Sequence, residues 1–175
     1  AWTYYDNNLE KGKLYNWYAI MGIHDTDPNT PNKEFAPEGW HVPTDAEWTT
    51  LENYLIANGY NYDPTTITTY NKLAKAMAST TGWNSSTSTG VPGNNQSLNN
   101  SSGFNAFPES YRADNGSLDN EGNNTAFWSS SQPQVGFTYS LVAHCRFLYY
   151  DGSNLSKDYD YAYKQNGFSV RFVRD

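Results

Sequence analysis

An α+β domain with a largely antiparallel sheet is the fold class this sequence predicts, and three observations lead to it. A capped, amphipathic stretch near residue 50 reads as a helix. Strand-like segments crowd the last third of the chain. Between them, residues 83–125 are mostly Asn, Ser, Thr and Gly, a composition that supplies loops and cannot form a core alone. Helices early and strands late give an α+β layout. With 175 residues the chain is expected to be a single domain, 1–175, burying roughly 70% of the surface its unfolded form exposes.

The segment GKLYNWYAI (12–20) alternates, with Leu14, Trp17 and Tyr18 as bulky strand formers, and predicts the first strand. Residues 24–39, dense in Pro, Asn and Asp, predict a long loop. In PTDAEWTTLENYLIANG, Thr44 and Glu47 form a T-x-x-E capping box, which satisfies free helix N-terminal amides. Trp48, Leu51, Leu55 and the nearby Tyr54 follow at helical spacing, and Gly59 offers a left-handed stop, so a helix is expected over 45–58. A second helix is expected over residues 68–79, with Tyr70, Leu73, Ala74 and Met77 on one face and an end near Gly82. GFNAFPESYR (103–112) interrupts the loops with one short strand. Further strands are expected at 126–130, 137–144, 146–150 and 168–174, the last with Phe168, Val170 and Phe172 on one face. Those three, with Trp17 and Trp128, are assigned to the core, whereas Trp40 and Trp83 fit either core or contact surface. Arg171 is expected to pair with a carboxylate or with loop carbonyls.

The charge balance, 11 Lys+Arg against 18 Asp+Glu, leaves a net −7. Nucleic acid and anionic membranes need a basic footprint, so neither is an expected partner. Aromatics reach 17%, with 15 Tyr and 6 Trp, and most polarity comes from Asn, Ser and Thr. That is the composition of a secreted or surface contact protein. One cysteine, Cys145, rules out an intrachain disulfide. No run approaches the roughly 20 apolar residues of a membrane span, so no direct membrane insertion is expected. The opening AWTYYDNN has neither a basic nor an apolar signal region, and the chain is expected to be the C-terminal part of a longer surface protein.

Metal and catalytic patterns are thin. His144 and Cys145 are adjacent, so in a strand they point to opposite faces and cannot share a zinc ion. DTDPN (25–29) starts like a calcium loop, but Thr30 and Ala36 stand where the glycine and the bidentate Glu belong, which favours a polar turn held by Asx bonds. DNGSLDNEG (114–122) has enough oxygens for calcium, and its Asn-Gly is equally a hairpin signal. There is no G-x-S-x-G elbow, no cysteine with an activating histidine and no phosphate-binding glycine loop. Glu38, Glu47, Glu109 and Asp114 are the carboxylates that an acid–base hydrolase would have to pair in space. Neither enzyme activity nor a cofactor is expected.

What stands out is a tyrosine cluster: Tyr139, Tyr149, Tyr150, Tyr159, Tyr161 and Tyr163, interleaved with Asp, Ser, Asn and Lys. A solvated loop whose tyrosines fold back on the core would explain it. A paratope-like surface explains it better, since Tyr offers large amphipathic area at low entropic cost and Ser, Gly and Asn offer adaptable hydrogen bonds. The residues expected to contact a ligand are Phe137, Tyr139, His144, Arg146, Tyr149, Tyr150, Asp151, Asn154, Asp158, Tyr159, Asp160, Tyr161 and Tyr163.

Several stretches together resemble the Fibrobacter succinogenes major paralogous domain: GKLYNWYAI (12–20), APEGWHVPTDAEWTTLE (36–52), SSGFNAFPESYR (101–112), AFWSSS (126–131) and GFSVRFVRD (167–175). The resemblance implies a C-type-lectin-like layout, with two helices packed on a small twisted, mostly antiparallel sheet, long loops, and the first and last strands paired. It also implies one lost cysteine pair, because the family usually has Cys where Ala36 and Phe172 stand. Calcium-dependent sugar binding does not carry over, since the E-P-N, Q-P-D and W-N-D motifs of sugar-binding lectins are missing. Domains of this kind also serve as variable proteins of diversity-generating retroelements, and residues 132–166 occupy the place of such a variable repeat. The expected function is therefore a non-enzymatic adhesin or receptor-binding module at a bacterial cell surface or on a phage particle, with a protein or glycan partner. A carbohydrate-binding domain of a secreted glycan-degrading protein is the alternative.

Overall fold

A computed structural model describes residues 2–4, 12–27, 29–64, 66, 70–119, 121–133, 140–157 and 162–175. Strand β1 (Trp2–Tyr4) pairs antiparallel with β2 (Lys13–Tyr15). The strand expected over 12–20 ends at Tyr15. Asn16 stops it: its side chain accepts the Ala19 amide and caps a single helical turn, α1 (Trp17–Ile20). Such a local side-chain bond offers the backbone an alternative to the sheet ladder.

β3 (Trp40–His41) leads into the main helix, α2 (Asp45–Ala57). Its N-terminus is the predicted capping box, with the Glu47 amide donating to Thr44 Oγ1 at 3.2 Å and the Thr44 amide to Glu47 Oε2 at 2.8 Å. Gly59, at φ +78°, turns the chain out of the helix. Residues 68–69 of the second expected helix lie outside the described residues, and over residues 70–79 it shrinks to one turn, α3 (Ala74–Met77). Leu73, Ala74 and Met77 are buried as expected, but Tyr70 is 76% exposed. Tertiary bonds set this boundary. Asn71 accepts the Leu155 amide at 2.8 Å and donates to the Leu155 carbonyl at 3.1 Å, and the Ala74 amide donates to the Ser153 carbonyl.

The longest ladder joins β4 (Asn124–Trp128) to β6 (Cys145–Tyr149), with Asn124 opposite Tyr149 and Trp128 opposite Cys145. Both strands lie between two core clusters, and pleat alternation assigns their side chains. Phe127 and Leu148 join Trp48, Leu55, Leu73 and Met77 on one side; Ala126, Trp128, Cys145 and Phe147 join Trp17, Ile20 and Phe168 on the other. β5 (Val142–Ala143) pairs with β7 (Ala162–Tyr163), and β8 (Val173–Arg174) with β3. The expected single sheet is thus four antiparallel strand pairs among the described residues, stitched by isolated bridges. The first and last strand regions do meet, through Tyr15 and Phe168.

The closing segment departs from its alternation. Phe168 is fully buried and Val170 packs on the core, but Phe172 is 37% exposed and lies against Phe35 rather than in the core. Residues 168–169 bridge to Tyr15 and Phe127, whereas Val173 pairs with His41, so the chain changes partners on either side of Phe172. Arg171 takes the carbonyl option, donating to Phe104 O and Asn105 O. Trp83 is core and Trp40 is exposed.

Among its described residues the Asn-rich middle ahead of β4 carries no regular strand; the strand expected within 103–112 is a series of single bridges at Ala106, Ser110 and Arg112. Polar hubs hold it down: buried Asn99 donates to the Ser79 and Pro92 carbonyls and accepts from Lys75. Asx bonds hold the polar segment that begins at Asp25: Asp25 accepts the Asp27 amide and Asp27 the Asn29 amide. Residues 112–118 close the hairpin, with Arg112 opposite Leu118 and Asn115 accepting the Ser117 amide. The fold is a small α+β domain with few helices and short antiparallel strand pairs.

Candidate binding face

The expected contact residues fall into three groups. Phe137, Tyr139, Asp158, Tyr159, Asp160 and Tyr161 lie outside the described residues. The others divide between the two ends of β6, roughly 13 Å apart at the rise of a strand.

At one end stands the β5–β7 pair, in which Val142 faces Tyr163 and Ala143 faces Ala162. Tyr163 is 53% exposed and Leu141, one residue before β5, is 49% exposed. Beneath them sits a residue the sequence reading passed over, Lys164. It is buried, its ammonium rests 4.4 Å from the centre of the Trp17 ring, and it donates to the Ser140 carbonyl and to Gln132. Burial lowers its pKa, and the aromatic face together with the two acceptors compensates the charge. Its backbone also bonds to Leu141 and Trp17. One side chain therefore ties together residues 132, 140 and 164, which flank the Tyr-rich segments. A lone Lys among aromatics was the only sequence signal for this role.

His144, between β5 and β6, is half-buried and close enough to Asp45 to act on it electrostatically. Arg146 requires a correction. Side chains alternate along β6, and this one points under α2 rather than outward: it is 1% exposed, and it donates to Glu52 Oε1 at 2.7 Å and to Asp45 Oδ1 at 2.6 Å. It braces the helix and is not available to a partner. Burial pushes the Asp45 carboxyl up, but the Arg146 hydrogen bond and charge, with Lys157 and His144 behind them, hold it below its ordinary pKa.

At the far end of β6 the residues belong to a turn. Tyr149 stacks on Phe147 at 5.7 Å and packs against one core cluster, and Tyr150 packs against the other. Both are half-buried, so their rings are divided between scaffold and surface. Asp151 is exposed and Asn154 half-buried in the turn that follows. The chain then returns along β6 through the Phe147–Ser156 bridge. Tyr163 and Leu141 are therefore grouped together, and Tyr150, Asp151 and Asn154 are grouped elsewhere.

Of the carboxylates considered for catalysis, Glu38 is exposed and the other three have other occupations. Glu47 caps α2 and meets His41, Glu109 accepts the Gly12 amide, and Asp114 accepts the Asn115 amide. His41 lies between Asp175 (2.6 Å from Nδ1) and Glu47 (2.7 Å from Nε2). A neutral imidazole has one N–H, and only the imidazolium donates to both carboxylates. The Asp175 bond and then the Glu47 bond raise the His41 pKa. Among the described residues no group of three or more His, Cys, Asp or Glu is placed to hold a metal ion, and no helix is long and apolar enough to cross a membrane.

Short antiparallel pairs, a braced helix, long polar loops and an anchored loop end define a small α+β scaffold domain. The chain belongs to the Fibrobacter succinogenes major domain family, whose model matches residues 1–174. Neither the curated proteins nor the solved structures compared with it give a match.

Proposed function

We propose that this domain is a non-enzymatic ligand-binding module, an adhesin or receptor-binding unit on a bacterial surface or phage particle, that engages a protein or glycan through its β5–β7 end. The observation that carries the reading is Lys164: a buried cation holds residues 132 and 140 together beneath two exposed apolar side chains, Tyr163 and Leu141. Preorganised loop bases lower the entropic cost of binding, and an exposed Tyr beside small polar residues is the chemistry of adaptable contact surfaces. The expected contacts at Phe137, Tyr139, Asp158, Tyr159, Asp160 and Tyr161 are part of this proposal on sequence grounds. A C-type-lectin-like arrangement is part of it as well, supported by the meeting of first and last strand regions through Tyr15 and Phe168.

Tyr163→Ala tests the reading. An exposed side chain of this kind contributes within about 0.5 kcal/mol to stability. The variant should therefore keep the wild-type urea midpoint while its binding on paired protein and glycan arrays falls about tenfold or more. Unchanged binding by Tyr163→Ala and by Leu141→Ser would overturn it. Saturable binding to one polysaccharide with no protein hit would favour the carbohydrate-binding alternative. Sequencing the surrounding DNA for a reverse transcriptase and a near-copy of the 3′ end tests the retroelement reading of residues 132–166.

A further inference from the structure

On the opposite side of α2 from the core ladder's brace, the helix and the C-terminal segment flank an open cavity of about 640 Å³. We infer that this cavity is a binding site for a small apolar carboxylic acid. Its volume lies inside the range of roughly 300–1,000 Å³ typical of small-molecule sites, which are mostly apolar with a few placed polar groups. Trp48, Leu51 and Tyr54 of α2 form one wall, and Phe104, Phe172 and Val173 line the rest. These side chains suit a ring or a short hydrocarbon body.

Two charged residues also line the cavity, Glu47 and Arg171, and they differ in what they leave free. The Glu47 carboxylate is used up: Oε2 accepts from the Thr44 amide and hydroxyl, and Oε1 meets His41. Arg171 is not used up. Its Nη2 serves the Phe104 and Asn105 carbonyls, while Nε and Nη1 have no acceptor among the described residues and are not sealed from solvent. No carboxylate among the described residues lies within ion-pair distance of it. The nearest acid, Glu109, acts on it only through space and is engaged by the Gly12 amide.

The guanidinium is also held still, 4.9 Å from the centre of the Phe104 ring. A fixed cation with spare donors beside an apolar cavity selects an anion on an apolar body, and a carboxylate matches the flat guanidinium fork. The site lies on a different part of the domain from Tyr163 and Leu141, and it does not depend on the function proposed for them.

The test titrates 1-naphthylacetate and its neutral amide, 1-naphthylacetamide, into the ¹⁵N-labelled domain. The acid should shift the amides of Leu51, Tyr54, Phe104 and Val173 and bind about tenfold or more tightly than the amide, the difference expected of one charge-assisted hydrogen-bonded pair. Thr50→Trp, on the exposed side of α2, should fill the cavity and abolish the shifts with the dispersed spectrum intact, while Tyr163→Ala leaves them unchanged. Equal affinity for acid and amide, shifts confined to the Leu141–Tyr163 end, or no shift at millimolar probe would overturn the inference. Tighter binding of acetyl-Leu-Phe than of naphthylacetate would also overturn it, in favour of a peptide terminus.

Discussion

Replacing Arg146 by methionine removes the brace between β6 and α2 and leaves Glu52 with no cation. The Glu52 side chain is 8% exposed, and its remaining hydrogen bond is a 3.5 Å contact from Asn71. Breaking a buried pair from one side costs about 3–5 kcal/mol, because the surviving charge stays desolvated and unpaired. In a domain of this size that corresponds to a fall in Tm of about 6–20 °C.

The double variant Arg146→Met, Glu52→Leu removes both charges, and most of the loss should return. The pair is not perfectly served as it stands, since Arg146 Nη2 has no hydrogen-bond acceptor among the described residues, and apolar replacement of such pairs is often neutral or stabilising. Asp45 remains, but it is part-exposed and keeps Lys157 at 3.8 Å. Urea unfolding followed by tryptophan fluorescence measures both variants, with equal m-values required for the comparison. A single variant within about 1 kcal/mol of wild type, or a double variant no better than the single, would falsify this account of the brace.

Three other outcomes follow from the same geometry. Thr44→Ala deletes the side-chain half of the capping box and should cost about 1 kcal/mol in the same urea assay; no change would mean that tertiary packing alone sets the start of α2. The His41 bridge makes stability pH-dependent. The folded-state pKa is raised, so the bridge's contribution is full below the unfolded value of 6.5 and is lost as pH rises through the folded value. Urea midpoints should therefore decline over that window on the alkaline side of 6.5, and His41→Ala should flatten the decline. Glu47 runs the other way: the Thr44 amide bond, opposed by burial and joined by His41 and the Thr44 hydroxyl, depresses its pKa. Its contribution is present above 4.5 and fades as pH falls through the depressed value, a trend that Glu47→Gln should remove.

The elements read correctly from the sequence are those whose instructions are local. Thr44, Glu47 and Gly59 sit within one turn of the helix ends they define, so α2 was legible almost to the residue. The Asx bonds of Asp25 and Asp27 and the hairpin at 112–118 are written in Asp and Asn side chains that bond nearby backbone. Elements settled by distant partners were misjudged. α3 is short because Asn71 bonds across 84 positions to Leu155. Phe172 left the expected core face because its strand exchanges β2 and β4 for β3, which no alternation pattern encodes.

The same division runs through the candidate site. Composition and the tyrosine cluster, by themselves, marked an acidic, aromatic-rich chain and an expected contact region, and the stretches at 12–20, 36–52, 101–112, 126–131 and 167–175 pointed to its family. They did not determine which side chains face outward. Arg146 and Tyr163 carry the same expectation in the sequence, that of contact residues in the Tyr-rich region. One is sealed beneath α2 by two carboxylates, and the other stands exposed on β7. Only the tertiary structure could separate them, because the partners that bury Arg146 lie about a hundred residues away and those that anchor Tyr163's neighbour Lys164, Trp17 on α1 and Ser140 ahead of β5, are likewise remote in the sequence.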